Sequence, residues 1–244
     1  MRDLPLPTLP MADLSSHLSA ESRAARRSLH PRSAPEASTR PGIEVVWART
    51  AQDVLAAQRL RYEVFAVEMG ARLSVPVGSP AGHDIDLFDP YCEHLLVRLD
   101  TGTNEPGQVI GTYRVLTPES AKRIGGLYSE TEFDLTRLRP LRGKMVELGR
   151  SCVHPDHRHG GAIMALWGAL AEFMVRNDLD TMIGCASISM RDGGHMAASL
   201  YEQLRHTHLA PIEHHVRPRL PLPVEELNHH LQVGHRQADV MDHL

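Results

Sequence analysis

The sequence predicts an α/β (α+β) domain in which one mixed central β-sheet is flanked by helices. Three observations carry that expectation. Strand-like and amphipathic segments alternate from Ile43 onward, a pattern that builds a layered sheet-and-helix core. Glu93 to Leu99 and Val109 to Leu116 are two apolar-rich runs joined by the polar segment Asp100 to Gln108, which reads as a hairpin. Lys144 to Ala186 reads as strand, glycine turn, helix, strand. At 244 residues and 42% hydrophobic content the chain can bury one ordinary core, so a single domain with appended ends is expected.

Taken in order, Ile43 to Ala48 forms a first strand, and Thr50 caps a helix whose apolar face uses Val54, Leu55, Leu60, Val64, Phe65 and Val67 until Gly70 stops it. The hairpin follows the loop Pro76 to Asp89. Pro118 to Gly125 forms a short helix. Lys144 to Val153 returns as a strand in which Gly149 is a candidate bulge. After His157 to Gly161, Ala162 to Arg176 is a long amphipathic helix and Thr181 to Ala186 a buried strand. Met196 to Arg205 supplies the last helix, and a terminal strand fits within His206 to Arg217, before the prolines at 218, 221 and 223.

The ends differ from this core. Residues 1–42 form an arm rich in proline, arginine and serine, expected to be poorly ordered in isolation. Within it Met11, Leu14 and Leu18 lie at helical spacing ahead of Arg23, Arg26 and Arg27, a pattern that suits an anionic membrane surface. Residues 43–223 are the expected domain and 224–244 a polar, histidine-containing tail. No apolar run approaches the ~20 residues that cross a bilayer, so the expected location is the cytoplasm, with peripheral contact at the inner membrane as an option. Cys92, Cys152 and Cys185 are odd in number and widely spaced, which suits reduced, half-buried thiols. A net charge of -4 gives no general attraction to nucleic acid. His154, His157 and His159 lack carboxylates at a zinc-enzyme spacing, so no metal is expected.

Glycines before a helix let backbone N–H groups approach an anion at the positive helix end, so Gly160 and Gly161 are candidates for a pantetheine phosphate. The order of elements from Ile43 to Pro223 resembles the GNAT superfamily. In that fold the strand before the glycine turn splays from its neighbour and opens a slot for the acyl-pantetheine arm. The resemblance implies that Cys152, Val153, Arg158, His159, Gly160, Gly161 and Ala162 line the donor's path. Two frames of the glycine-turn signature fit, one on His157, Gly160 and Ala162, the other on Arg158 and Gly161, and each misses one position.

Arg61-Tyr62-Glu63-Val64-Phe65, Asp86-Leu87-Phe88-Asp89, Gly111-Thr112-Tyr113-Arg114 and Glu147-Leu148-Gly149-Arg150 resemble the ordered signature of acyl-homoserine-lactone synthases. Tyr128 to Leu135, Glu147 to Phe173 and Arg217 to Leu222 are more similar to bacterial ornithine N-acyltransferases. The resemblance implies transfer of a 3-hydroxy fatty acyl group from acyl carrier protein, or from acyl-CoA, to the α-amine of L-ornithine, with no bound cofactor. An acceptor with an ammonium and a carboxylate needs fixed charges of both signs, which Arg61, Asp86, Asp89 and Arg114 could supply, and the resemblance adds Phe65 and Arg150 to the substrate-binding candidates. Glu147 is the candidate base, its structural alternative being an ion pair with Arg150. Tyr201 stands where related enzymes place a tyrosine that protonates the departing thiolate, with core packing as its other role. Arg137, Arg139, Arg142, Lys144, Arg150 and Arg158 form a basic run suited to an acidic carrier protein.

Two other functions stay open at this point. A lactone synthase fits the same charged residues, although its tryptophan shortly after the first helix is absent. A truncated, non-catalytic carrier-binding protein fits the polar stretch Leu231 to Leu244, where the ornithine enzymes continue through an apolar, glycine-bearing segment.

Overall fold

The structure is a computed structural model, and it describes residues 42–103, 105–159 and 161–227. The expectations for the N-terminal arm, for Gly160 and for the polar tail beyond residue 227 lie outside the described residues.

Strand β1 (Ile43–Trp47) leads into helix α1 (Ala51–Tyr62). Thr50 starts that helix as read from the sequence. Its hydroxyl accepts from the Asp53 backbone N–H at 3.1 Å, and the Asp53 carboxylate accepts from the Thr50 N–H at 3.0 Å, a reciprocal capping box. The helix does not run unchanged to Gly70. From Glu63 to Glu68 it widens into a π-helical turn, which changes the angular step between side chains. Phe65 is fully buried as a result, whereas Val67, expected on the apolar face, is 68% exposed.

Strands β2 (Glu93–Leu99) and β3 (Val109–Leu116) form the expected hairpin. Thr117 caps the short helix α2 (Pro118–Ile124), which ends at Gly125 in the left-handed region at φ 90°. Strand β4 (Phe133–Asp134) is followed by β5 (Met145–Val153), helix α3 (Gly161–Arg176), β6 (Thr181–Ile183), helix α4 (His195–Thr207) and β7 (Arg217–Pro218). The main sheet has the order β1-β2-β3-β5-β6, antiparallel except for the parallel β5–β6 pair. The terminal strand is confined to two residues, which pair with β4 in a separate ribbon. The prolines at 218, 221 and 223 have no N–H to extend that ladder.

Period-two alternation sends β2 side chains to opposite faces. Leu95 and Val97 join Tyr113, Val115, Val146 and Leu148 beneath Leu166 and Leu170 of α3. Leu96 joins Ala57, Leu60, Val64 and Phe65 beneath α1. A third cluster of Leu116, Leu127, Leu135, Leu138 and Met145 closes the end near α2.

Two irregularities in β5 break the regular sheet. Its pairing with β3 runs from Thr112 opposite Cys152 to Arg114 opposite Gly149, so Arg150 and Ser151 together face Tyr113 as a bulge. Arg150 has φ 51°, in the left-handed region. The bulge lies one residue past the glycine that the sequence marked. In addition, β5 and β6 pair only from Met145 to Glu147 against Thr181 to Ile183. Beyond Glu147 they part, so the strand expected to reach Ala186 leaves the sheet at Ile183. At the parting point, a Cβ on Gly184 would lie 2.6 Å from the Leu148 carbonyl oxygen, so only glycine lets the strands start that close.

Opposite stability changes follow for two glycine-to-alanine substitutions, read by urea unfolding. Gly184→Ala destabilises by about 1–3 kcal/mol because backbone must move. Gly168→Ala, at an exposed position on α3 with open space around its Cβ, stabilises by about 0.5–1 kcal/mol.

Candidate active site

Where β5 and β6 part, the sheet opens into a cavity of about 250 Å³. One wall is Leu148, Gly149, Arg150 and Ser151 of β5; the other is Gly184 to Ser187, beyond β6. Tyr113 and Trp167 approach from the α3 side, edge to face at 5.9 Å, and Phe65, Phe88 and Tyr128 from the α1 side. The cavity is thus a slot through the sheet, with the backbone of the β5 bulge along its edge.

Glu147 sits at the apex, the last β5 residue paired with β6, and is 5% exposed. It makes no ion pair with Arg150. Its Oε2 accepts from the Tyr128 N–H at 2.7 Å, and its Oε1 accepts from the Ser129 N–H at 2.6 Å and from the Ser129 hydroxyl. The carboxylate therefore ties the short 3₁₀ turn Tyr128–Thr131 across the slot. Oε2 accepts from one backbone donor, and Glu147 lines the cavity.

The charged residues read as acceptor ligands mostly bind one another. Arg61, fully buried, lies 2.7 Å from Asp89 Oδ2 through Nη2 and 3.0 Å from Asp84 Oδ2 through Nε. Arg114 Nη1 lies 2.6 Å from Asp86 Oδ1 and 2.8 Å from Asp89 Oδ1. Arg150 Nε lies 3.2 Å from Asp84 Oδ2, and its Nη2 lies 3.5 Å from Asp86 Oδ2. Gln58 donates to Asp89 Oδ2 at 3.0 Å. Three guanidiniums and three carboxylates thus form one neutral network that stitches α1, the loop at 84–89, β3 and the β5 bulge together.

Its electrostatics follow from that pairing. Burial pushes the Asp89 carboxyl up, but the guanidiniums of Arg61 and Arg114 outweigh it and hold the group at about 2. Asp86 is also lowered, burial opposing and Arg114 prevailing. Burial lowers Arg114's pKa, yet the nearby acidic groups, Asp86 first among them, raise it overall. Asp89 has both oxygens engaged, Arg61 donates through Nη2 to Asp89 and to the Asp84 carbonyl, and the two residues are 5% and 0% exposed. Arg114, Arg150, Phe65 and Glu147 do line the slot.

The donor-path residues fall into two groups. Cys152 points into the core beneath α1 and Val153 into the core beneath α3; burial pushes the Cys152 thiol up to about 12. Arg158 is engaged in a fork with Glu68 at 2.7 and 2.6 Å and donates to the Val153 carbonyl at 3.2 Å. It thereby clasps the π-helical turn to the start of α3. His159 is exposed, Gly161 opens α3 and Ala162 is buried. Tyr201 is 49% exposed, outside the core, and is absent from the lining of the slot. Of the basic run, Arg142 pairs with Glu130, Lys144 with Asp178, and Arg137 donates to the Ile212 carbonyl; Arg150 and Arg158 are also paired, and the Arg139 side chain forms no ion pair or hydrogen bond with another described residue.

Sequence reasoning missed Asp84, the carboxylate shared by Arg61 and Arg150, and the Tyr128–Ser129 turn that Glu147 holds. The first had a signal in the sequence, since Asp84, Asp86 and Asp89 fall within six residues of one loop. Among the described residues, no group of three or more His, Cys, Asp or Glu side chains is placed to hold a metal ion, and no helix is long and apolar enough to cross a membrane.

Residues 60–168 match the model of the acetyltransferase (GNAT) domain family. The L-ornithine N(alpha)-acyltransferase of Rhodobacter capsulatus is 40% identical over 181 residues, covering 72% of this chain and 67% of that protein. Those of Brucella abortus and Rhizobium meliloti are 40% identical over 149 residues, covering 59% of this chain and 52% and 50% of those proteins. The chain therefore spans about two thirds of the first relative and about half of the other two. Among solved structures, the acyl-homoserine-lactone synthase LasI aligns over 59% of this chain and 72% of its own at 22% identity, with a TM-score of 0.41; that likeness is too weak to bear on the choice of acceptor.

The network makes a pH-dependent prediction. Asp89's folded-state pKa lies below the ordinary value near 4, so its stabilisation, on the order of 2 kcal/mol, is complete above about pH 4 and disappears as pH falls through about 2. Asp89→Asn should lower unfolding free energy by about 3 kcal/mol at pH 7, with the gap to wild type narrowing as pH falls from about 5 toward 2. Urea titrations across that range read it directly, and a gap independent of pH contradicts the assignment.

Proposed function

We propose that this chain, which belongs to the L-ornithine N(alpha)-acyltransferase family of GNAT-type enzymes, moves a 3-hydroxy fatty acyl group from the pantetheine thioester of acyl carrier protein to the α-amine of L-ornithine. The product is lyso-ornithine lipid. The observation that carries this reading is the slot itself, with strands parting beyond Glu147, a backbone bulge on its edge and a buried carboxylate at its apex.

An extended pantetheine arm fits between two strands that no longer bond each other, because each presents unpaired N–H and C=O groups to its amides. The thioester carbonyl then meets the bulge, where backbone N–H groups released from the β3 ladder can hold the developing oxyanion. Ornithine's α-ammonium must lose a proton before attack, and the Glu147 carboxylate, which lines the cavity, is the group we assign to take it. The amine nitrogen forms the new C–N bond, the C–S bond breaks, and the departing thiolate takes up a proton. Tyr113 and Tyr128 line the slot, whereas Tyr201 does not.

Direct transfer is favoured over an acyl-cysteine route. The Cys152 thiol, raised to about 12, is turned into the core, so it is neither ionised nor presented to a thioester. Cys185 lines the slot, but burial raises its pKa as well, and its thiol donates to the Ser129 hydroxyl at 3.3 Å. The carrier protein as donor is what the motif resemblance implies, since coenzyme A offers the same thioester. A fatty product with an amino-acid head partitions into bilayers, so we place the reaction in the cytoplasm at the inner membrane face.

Thiol release from 3-hydroxyacyl carrier protein, with product mass determined, tests the reading. Release should depend on ornithine and give acyl-ornithine; release that depends on glycine or S-adenosylmethionine instead reassigns the acceptor. Glu147→Gln should lower kcat by about 100-fold with the donor KM changed by less than about threefold. A fall in kcat below about threefold returns proton removal to water.

A further inference from the structure

A second cavity, of about 410 Å³, adjoins the slot. Phe88, Tyr128 and Arg150 line both, so these three residues form the doorway between them. The remaining lining comes from the loop after the π-helical turn, Ala71 to Pro76, together with Asp86, Leu87 and Thr131.

Two charged groups in this cavity have capacity to spare. Asp86 Oδ1 is saturated, accepting from Arg114 Nη1 at 2.6 Å, the Phe88 N–H at 2.8 Å and the Asp89 N–H at 3.2 Å. Its Oδ2 meets only Arg150 Nη2, at 3.5 Å, a distance at the outer limit of hydrogen bonding. Asp86 is held anionic by its network. Arg72, on the loop wall, forms no ion pair or hydrogen bond with another described residue. The cavity thus offers one underused carboxylate oxygen and one unpaired guanidinium, beside a door that opens on the apex of the slot.

A neutral or purely apolar occupant leaves Asp86 Oδ2 with one distant donor and Arg72 without an anion, whereas an amino acid with a basic side chain supplies both. We infer that the second cavity is the acceptor site, in which Arg72 binds the α-carboxylate and Asp86 Oδ2 binds the side-chain ammonium, leaving the α-amine at the Phe88–Tyr128–Arg150 doorway. This inference rests on the acyltransferase reading above, which requires an acceptor to reach the slot from a side that the donor does not fill. It also separates the roles of the charged residues. Asp89 and Arg61 build the wall, Asp86 and Arg150 face the ligand, and Arg72, outside every recognised motif, selects for a carboxylate.

The test compares kcat/KM for L-ornithine, 1,4-diaminobutane, which lacks the carboxylate, and 2-aminopentanoate, which lacks the distal amine, at fixed 3-hydroxyacyl carrier protein. Wild type should prefer ornithine to each by about tenfold or more. Arg72→Met should raise the ornithine KM by about tenfold and reduce the ornithine-to-diaminobutane ratio to about twofold or less, while its ornithine-to-aminopentanoate ratio and donor KM stay as in wild type. An unchanged ornithine-to-diaminobutane ratio in Arg72→Met overturns the assignment, as does a change confined to the donor KM, which would make the cavity part of the donor path. If wild type releases thiol with none of the three acceptors, the acyltransferase reading fails first and takes the inference with it. Because Arg72 is exposed and pairs with no other described residue, thermal unfolding of the variant should match wild type and separate loss of binding from loss of fold.

Discussion

The site depends on one carboxylate held between two guanidiniums. Asp89 reaches Arg61 of α1 with one oxygen and Arg114 of β3 with the other, in a region where water cannot solvate any of them. An isolated charge there would cost several kcal/mol, so each member is tolerable only with its partners in place. That requirement extends outward through Asp84 and Asp86 to Arg150. The result is a neutral cluster that fixes four separate stretches of backbone relative to one another. It acts as a frame, with one cavity on each side of its outermost residues.

The frame and the strand geometry explain each other. Arg150 can turn back toward Asp84 and Asp86 because β5 carries an extra residue at that point and adopts a left-handed backbone there. The same bulge takes N–H groups out of the ladder and puts them along the slot. One residue further toward the start of the strand lies Gly149, and three residues from the bulge lies Glu147, whose carboxylate pins the Tyr128–Thr131 turn. On the opposite side, the π-helical turn after α1 swings Phe65 beneath Arg150, with the guanidinium carbon 6.0 Å from the ring centroid. Departures from regular structure therefore cluster around the slot, where a strained backbone has a use.

Much of this was legible beforehand, and the reasons for the rest are physical. Periodicity located α1, the β2–β3 hairpin, β5 and α3, because those elements bury one face and show it in their spacing. The family resemblance of four motifs named Arg61, Asp86, Asp89, Arg114, Glu147 and Arg150 as one set, and all of them belong to the charged network or line the slot. What spacing cannot show is the partner of a charge. The arginines and aspartates turned out to neutralise each other, and Arg158 and Lys144 to pair with Glu68 and Asp178, contacts that span 90 and 34 positions. The early end of β6 was hidden for a related reason, since the parting from β5 that denies Gly184 to Ala186 a ladder is a tertiary feature. Tyr201 was placed by family position alone, and its helix face points it to solvent.

A double-mutant cycle on Arg61 and Asp89 tests the central claim that this network is a structural frame. Unfolding free energies of wild type, Arg61→Met, Asp89→Asn and the double variant, measured by urea denaturation at pH 7, give the coupling between the two side chains directly. The account predicts a coupling of about 2 kcal/mol or more, with the double variant far less destabilised than the sum of the singles. Additive losses, with coupling near zero, would mean that the two residues do not depend on each other and that the frame described here does not hold the site.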